Sequence, residues 1–211
     1  MGIQTIIDRA SFITVDKKKL ASQTISRSGK LLTAEVTSNR PYRFIVGVNA
    51  GYSYSDNRAV LEELDSLDIT TEENVDIGST NTGLSYITAL QGTLGGSPTI
   101  TSASNGNIVL NTISATGSGV ALKKGDFIQP ATGYRYPYQV TADVTWNATS
   151  ITVPIHRNFI DQSGYTPAGK NVLLGSNVSW YVKMTNKPTY TIIPHDRFVL
   201  DSDVELVEVI T

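Results

Sequence analysis

The sequence predicts a mainly β protein, built as a β-sandwich with one amphipathic α-helix and an inserted small antiparallel β module. Two stretches carry the β assignment: apolar and polar residues alternate with a period of two over residues 138–146 and again over residues 178–184. A third observation defines the helix. Over residues 55–67 the apolar residues instead recur at the three- and four-residue spacing of a helix face.

The N-terminal part of the chain supplies the first predicted strands. Residues 3–7 and 12–15 are short apolar runs rich in β-branched side chains, which predict a first strand or a bent pair. Residues 31–36 and 42–48 alternate on either side of a turn, so we expect them to pair as a hairpin. The helix at residues 55–67 follows, and its leucine stripe is expected to lie against the sheets.

The stretch 122–159 is the strongest β signal in the chain. Residues 123–126 form a turn signal, because Gly accepts a positive φ and Asp binds its own backbone. We expect residues 138–146 and 151–155 to pair as a hairpin, with Trp146 near its tip. Pro154 indicates an edge strand, since proline cannot donate a backbone hydrogen bond.

The order of these elements predicts a split domain. A loop-like stretch at residues 92–98 indicates a domain boundary, and Asn105-Gly106 predicts a hairpin after it. Later in the chain, Trp180 is expected in a core strand, and residues 198–210 close the fold. We therefore predict a β-sandwich formed by residues 1–91 plus 166–211, with residues 92–165 inserted as a small β-barrel or hairpin module.

Composition narrows the classes of function. The net charge is -2 and only 17% of residues are charged, so no basic surface for a nucleic acid is indicated. The lysine run at residues 17–19 is interpreted as a solvated turn. The absence of Cys excludes disulfides and thiolate chemistry. No apolar window approaches the roughly 18 residues of a membrane span, and the N-terminus lacks a basic leader, so we expect an intracellular, soluble protein.

Catalytic chemistry has few candidates in this sequence. The two histidines, His156 and His195, sit at the ends of predicted strands beside prolines. A metal site would need them together with Asp126, Asp143 or Asp196, and the sequence does not bring these residues together. No nucleophile or metalloprotease motif is present. We therefore expect no enzymatic activity, no metal and no cofactor.

Several motifs resemble virion proteins of tailed bacteriophages. A K-G-D-F-I entry, a Y-Q-V-T-A-D-V strand and a T-V-P-I-H-R return strand are similar to β modules of phage baseplate, tail-hub and coat proteins; they lie at residues 124–128, 138–144 and 152–157. Residues 39–44 and 55–64 resemble the ring-forming domain of distal-tail or tail-tube-initiator proteins, and residues 178–184 and 198–209 are similar to the closing strands of tail-tube-like folds. The chain differs from distal-tail proteins in having no recognisable carbohydrate-binding insertion.

The resemblance implies a tail-tube-like β-sandwich and a structural role in a virion that is assembled in the host cytoplasm. Copies of the chain would form a homo-oligomeric ring, of six copies, in a baseplate or tail hub, and would dock other tail proteins without contacting nucleic acid or membrane. Two-sided apolar patterning makes the closing segment our predicted assembly edge, with Val204, Leu206, Val207, Val209 and Ile210. The predicted docking surface consists of Tyr134, Tyr136, Trp146 and Arg157.

Two alternatives remain open on the sequence. The aromatic residues Tyr134, Tyr136, Tyr138 and Trp146 offer stacking faces for a sugar, which would suit a carbohydrate-binding receptor module at the tail tip. The same β elements would also suit a head–tail connector or a decoration protein.

Overall fold

The computed structural model describes residues 2–16, 20–25, 31–36, 41–48, 53–78 and 83–210, with residues 20–25 and 31–36 described by their strands alone. The fold class is confirmed as mainly β, with 42% of residues in strands and 14% in helices. Two α-helices are present in the described chain where one was predicted. Neither of them is long and apolar enough to cross a membrane.

The elements follow one another in short pieces. The helices are α1 (Ile3–Ile7) and α2 (Tyr54–Ser66), and short 3-10 helices lie at Ser85–Ile87 and Gly175–Asn177. The strands are β1 (Ala10–Asp16), β2 (Leu20–Ile25), β3 (Leu31–Val36), β4 (Arg43–Val48), β5 (Glu72–Val75), β6 (Gly95–Gly96), β7 (Thr99–Ser104), β8 (Asn107–Asn111), β9 (Ala115–Thr116), β10 (Val120–Leu122), β11 (Phe127–Pro130), β12 (Tyr138–Gln139), β13 (Val144–Thr145), β14 (Ser150–Pro154), β15 (Val172–Leu174), β16 (Trp180–Asn186), β17 (Tyr190–Ile193), β18 (Arg197–Leu200) and β19 (Val204–Glu208).

The largest sheet has five antiparallel strands in the order β1-β4-β19-β16-β5. One face of this sheet is apolar because alternate residues of each strand point to the same side, as Phe44, Trp180 and Leu206 do. Helices α1 and α2 contribute to the core on that face through Ile3 and Leu64. The prediction that Trp180 is a core residue is confirmed, since only 1% of it is exposed.

The N-terminal strands pair differently from the prediction. Strand β4 pairs with β1 in the five-stranded sheet, and β3 pairs with β2 in a two-stranded sheet. The predicted hairpin between residues 31–36 and 42–48 is therefore wrong. Residues 3–7 form helix α1 and not a strand. The spacing of Ile3, Ile6 and Ile7 is helical, and it outweighs the β propensity of isoleucine once these side chains are buried.

The middle of the chain builds several small sheets around a second core. Strands β7 and β8 form the hairpin predicted at Asn105-Gly106. The predicted hairpin of residues 138–146 with residues 151–155 is wrong: the first run divides into β12 and β13, which pair with β11 and β10. A single bridge, between Val140 and Ile155, remains of it. Residues 141–143 leave the strand because Asp143 turns outward and its Oδ1 accepts the N–H of Lys124, 2.8 Å away.

Buried apolar residues fall into two clusters. The first core takes residues from Ile3 to Ile77 and from Val178 to Leu206, and the second takes residues from Leu94 to Val172. Phe127 is the exception, because it lies in the middle of the chain but packs into the first core. The domain boundaries at residues 91 and 166 stay a prediction.

Candidate assembly site and the buried junction

The predicted assembly edge lies in the centre of the five-stranded sheet. Strand β19 pairs with β4 on one side and β16 on the other, so Val204, Leu206 and Val207 already have two neighbouring strands. Val209 is buried and Ile210 is half-buried. The prediction is wrong for a physical reason: a strand with apolar residues on both sides is typical of a central strand as well as of an assembly edge.

The predicted docking surface is also wrong for three of its four residues. Tyr134, Tyr136 and Arg157 are 5%, 0% and 2% exposed. Trp146 is half-buried and lies over Gly117, where a Cβ atom would stand 2.5 Å from the indole ring. These side chains therefore pack the second core and present no continuous surface to a partner.

The tyrosines form a hydrogen-bonded aromatic cluster inside the second core. The hydroxyls of Tyr134 and Tyr138 are 2.5 Å apart, the Tyr134 hydroxyl donates to the carbonyl of Ile160, and the Tyr138 hydroxyl accepts the N–H of the same residue. Both rings stack on Phe159. Burial raises the pKa of Tyr138 to about 12. Because the rings face the interior, they do not form the sugar-stacking platform that the sequence suggested.

A buried ion pair joins the two cores. Arg157, just after β14, donates from Nη1 and Nη2 to the two carboxylate oxygens of Glu208 at distances of 2.6 and 2.7 Å. Both side chains are completely buried. We call this two-bonded pair the junction fork, because Arg157 belongs to the second core and Glu208 ends the central strand of the first.

Each half of the junction fork is held by its own core. Glu208 Oε2 also accepts the backbone N–H of Tyr42 at 3.0 Å, and Arg157 Nη2 donates to the carbonyl of Pro137 at 2.8 Å. The guanidinium lies 5.4 Å from the ring centroids of Tyr42 and of Tyr138. Burial alone would lower the pKa of Arg157. The hydrogen bonds to Glu208 and the negative charge of that carboxylate have a larger opposite effect, so the pKa of Arg157 is raised.

Two further residues cross the junction. Gln129, in β11, accepts the N–H of Ser179 and donates to the carbonyl of Tyr134, so its buried amide links both cores. The Phe127 ring packs edge-on against Trp180, with centroids 5.3 Å apart. The sequence gives one signal for this junction: Glu208 stands between the apolar residues Val207 and Val209.

Asp126 organises the turn at the entry to β11. Its Oδ2 accepts the N–H groups of Lys123 and Gly92, at 2.8 and 3.0 Å, and its Oδ1 accepts that of Gln91 at 2.8 Å. The carboxylate is buried, at 2% exposure. It therefore ties the turn to the start of the second core, as well as binding its own turn as predicted.

The two histidines lie in different settings. His156 Nδ1 accepts the N–H of Gln139 at 3.0 Å, whereas His195 lies at the tip of the β17–β18 hairpin with a φ of 67°. Asp196, next to it, accepts the N–H of Ser55 at 2.9 Å. Within the described ranges, no three or more His, Cys, Asp or Glu side chains are grouped to hold a metal ion.

The outer strands of the five-stranded sheet are β1 and β5, and in the described residues each has one neighbouring strand. Strand β1 carries Phe12, 46% exposed, with Arg9 just before the strand and the lysines of residues 17–19 just after it in the sequence. Strand β5 is acidic, with Glu72 and Glu73, and Asp68 precedes it.

A shallow groove opens beside the start of β5. It has a volume of about 390 Å³ and is lined by Ile69, Thr70, Glu72, Lys183, Met184 and Thr185. At the other end of β5, the side-chain amide of Gln4 accepts the N–H of Asp76 and donates to its carbonyl, in the way a neighbouring strand would. The outer edge of the sheet is therefore covered by Gln4 just after β5 and is open at the start of β5.

Comparison of the sequence with known proteins found no match. No family matches the chain, and no curated protein is significantly similar to it.

Proposed function

We propose that this protein is a structural component of a tailed-bacteriophage virion, a ring protein of the baseplate or tail hub that docks other tail proteins. The resemblance of its motifs motivates the virion setting. One observation supports the assembly: β1 and β5 are the outer strands of the five-stranded sheet, and in the described residues each has one neighbouring strand. Successive copies would join β1 to β5, which is a head-to-tail contact; such contacts form a ring when the rotation between copies closes.

Charge and shape both support this contact. In the sequence, residues 8–19 hold four basic and two acidic side chains, whereas β5 holds Glu72 and Glu73, so we expect the two edges to attract each other in successive copies. Phe12 is 46% exposed on β1, and the groove beside β5 offers Ile69, which is 52% exposed, as an apolar wall. Burying Phe12 in that groove would remove apolar area from water at both edges.

The test compares two equivalent charge reversals. Glu72→Lys places a cation at the proposed contact, and Glu62→Lys makes the same change on the exposed face of α2. We expect the wild type to form a closed oligomer in analytical ultracentrifugation and electron microscopy, and Glu72→Lys to weaken association by about 1–3 kcal/mol per contact, roughly 5- to 150-fold. Glu62→Lys should associate like the wild type.

Two results would overturn the proposal. The first is a wild-type protein that stays monomeric at every concentration and in low salt, where attraction between the edges is strongest. The second is equal weakening by both charge reversals. A neck connector or decoration protein would use the same edges, and labelling this chain in virions distinguishes these positions from the baseplate.

A further inference from the structure

The two cores meet through directional hydrogen bonds as well as through apolar contacts. Three buried polar side chains cross or line it: Gln129, Arg157 and Glu208. Rings supply the apolar contact beside them: Phe127 of β11 inserts into the first core and packs against Trp180. Aromatic pairs prefer edge-to-face or offset arrangements but accept centroid distances from about 4.5 to 7 Å, so ring contacts tolerate some displacement. A planar guanidinium on a carboxylate, in contrast, bonds well in one relative geometry.

We propose that the junction fork sets the orientation of the second core on the five-stranded sheet. In this view Arg157 and Glu208 are positioning residues, which select one arrangement among several that the ring contacts alone would permit. The inference goes beyond the proposed virion role and does not depend on it.

The fork can act in this way because both halves are anchored. Glu208 exchanges backbone and side-chain hydrogen bonds with Tyr42: its carboxylate accepts the Tyr42 N–H, and its own N–H donates to the Tyr42 carbonyl at 2.8 Å. Arg157 is fixed in the second core by the carbonyl of Pro137 and the ring of Tyr138. A rotation of one core against the other would therefore break two short hydrogen bonds at once.

Buried ion pairs gain little net stability, because removing two charges from water offsets most of their attraction. Removing one partner leaves an uncompensated buried charge, whereas replacing both by apolar residues of similar size removes the charge problem. We therefore expect Arg157→Met/Glu208→Met to melt above both single variants. In the double variant the Tyr42 N–H and the Pro137 carbonyl each lose a hydrogen-bond partner, so the double variant should melt below the wild type.

Orientation is measured directly by the distance between two spin labels, one on each core. The sequence has no Cys, so Glu62→Cys on α2 and Thr101→Cys on β7 are uniquely labelled, and both positions are exposed. Pulsed electron–electron double resonance should give one narrow distance peak in the doubly labelled protein that is otherwise wild type, which we call the parent. In Arg157→Met/Glu208→Met we expect this peak to broaden or split, while circular dichroism stays that of the folded parent.

Two controls separate orientation from stability. Phe127→Leu weakens the ring contact but leaves the junction fork in place, so it should lower the melting temperature without broadening the peak. Arg157→Lys keeps the charge but cannot bond both carboxylate oxygens in the fork geometry, so it should broaden the peak. A folded double variant with a peak as narrow as the parent's would overturn the proposal. So would a double variant that is unfolded while the single variants fold.

Discussion

Asp126 offers a sharp test of how the second core is held together. Its carboxylate accepts three backbone N–H groups, from Gln91, Gly92 and Lys123. Asp126→Asn keeps the shape of the side chain but replaces one acceptor oxygen by an NH₂ group, which donates. At least one of the three N–H groups must then face a donor in a buried site.

The expected cost follows from these contacts. A hydrogen bond to a charged group contributes about 1.5–3 kcal/mol, and a buried donor left without an acceptor costs about 1–3 kcal/mol. Because the two effects overlap, we expect Asp126→Asn to lower the free energy of unfolding by about 3 kcal/mol. Asp126→Ala leaves all three N–H groups without this acceptor, so its loss should be larger, on the order of 4 kcal/mol or more.

Urea unfolding measures both variants, followed by circular dichroism and by fluorescence from Trp146 in the second core and Trp180 in the first. The slope of free energy against urea should stay unchanged if native stability alone is affected. Asp143→Asn is the matched control, because Asp143 accepts the N–H of Lys124 from the same turn but is exposed. It should lose about 1 kcal/mol or less. Equal losses at Asp126 and Asp143 would refute the reasoning.

Three further predictions concern α2 and the β17–β18 hairpin. His195→Gly should raise the free energy of unfolding by about 0.5 kcal/mol in urea titrations, because His195 adopts a φ of 67°, which glycine accepts without strain; a loss of stability would contradict this. Hydrogen bonds from Ser53 and Ser55 lower the pKa of Asp196 below its ordinary 3.8. The ionised carboxylate therefore stabilises the fold above pH 3.8, and this stabilisation is lost as the pH falls through the lowered pKa. Melting curves of Asp196→Asn should therefore differ from wild type at neutral pH and converge with it in strong acid, and a constant difference would exclude this linkage. Asn57 lines an apolar cavity of about 20 Å³, and its Oδ1 has no hydrogen-bond partner in the described chain. Asn57→Leu should therefore stabilise the protein by about 1 kcal/mol in thermal melts. A less stable variant would show that the amide of Asn57 is needed.

Local signals in the sequence predicted local structure well. Asn105-Gly106 specifies its hairpin because the two strands are adjacent in the chain and the turn needs a positive φ, which Gly106 adopts. The helix predicted at 55–67 is found at Tyr54–Ser66, with Ser53 as the capping residue. Ser55 binds Asp196, a contact between residues 141 positions apart that local pattern cannot reveal.

Non-local pairing is where the sequence misled. Alternation at residues 204–210 indicates a strand but carries no information on how many neighbours that strand has. For the same reason Tyr134 and Tyr136 could be read as a surface, although their rings pack against each other inside the second core and the Tyr134 hydroxyl donates to the carbonyl of Ile160. The junction fork was missed because an arginine and a glutamate 51 positions apart in the chain show no mutual pattern.

The position of β19 has a consequence for the order in which the molecule folds during synthesis. This strand follows all its sheet neighbours in the chain, yet it lies between β4 and β16. The β1–β4 pair and the β5–β16 pair can form as soon as their residues leave the ribosome, but they remain two separate ribbons until β19 is available. Closure of the sheet is therefore the latest and least local step, and it should set a slow folding rate. Nascent chains lacking residues 204–208 would expose the inner flanks of both ribbons, where chaperones or other nascent copies can bind.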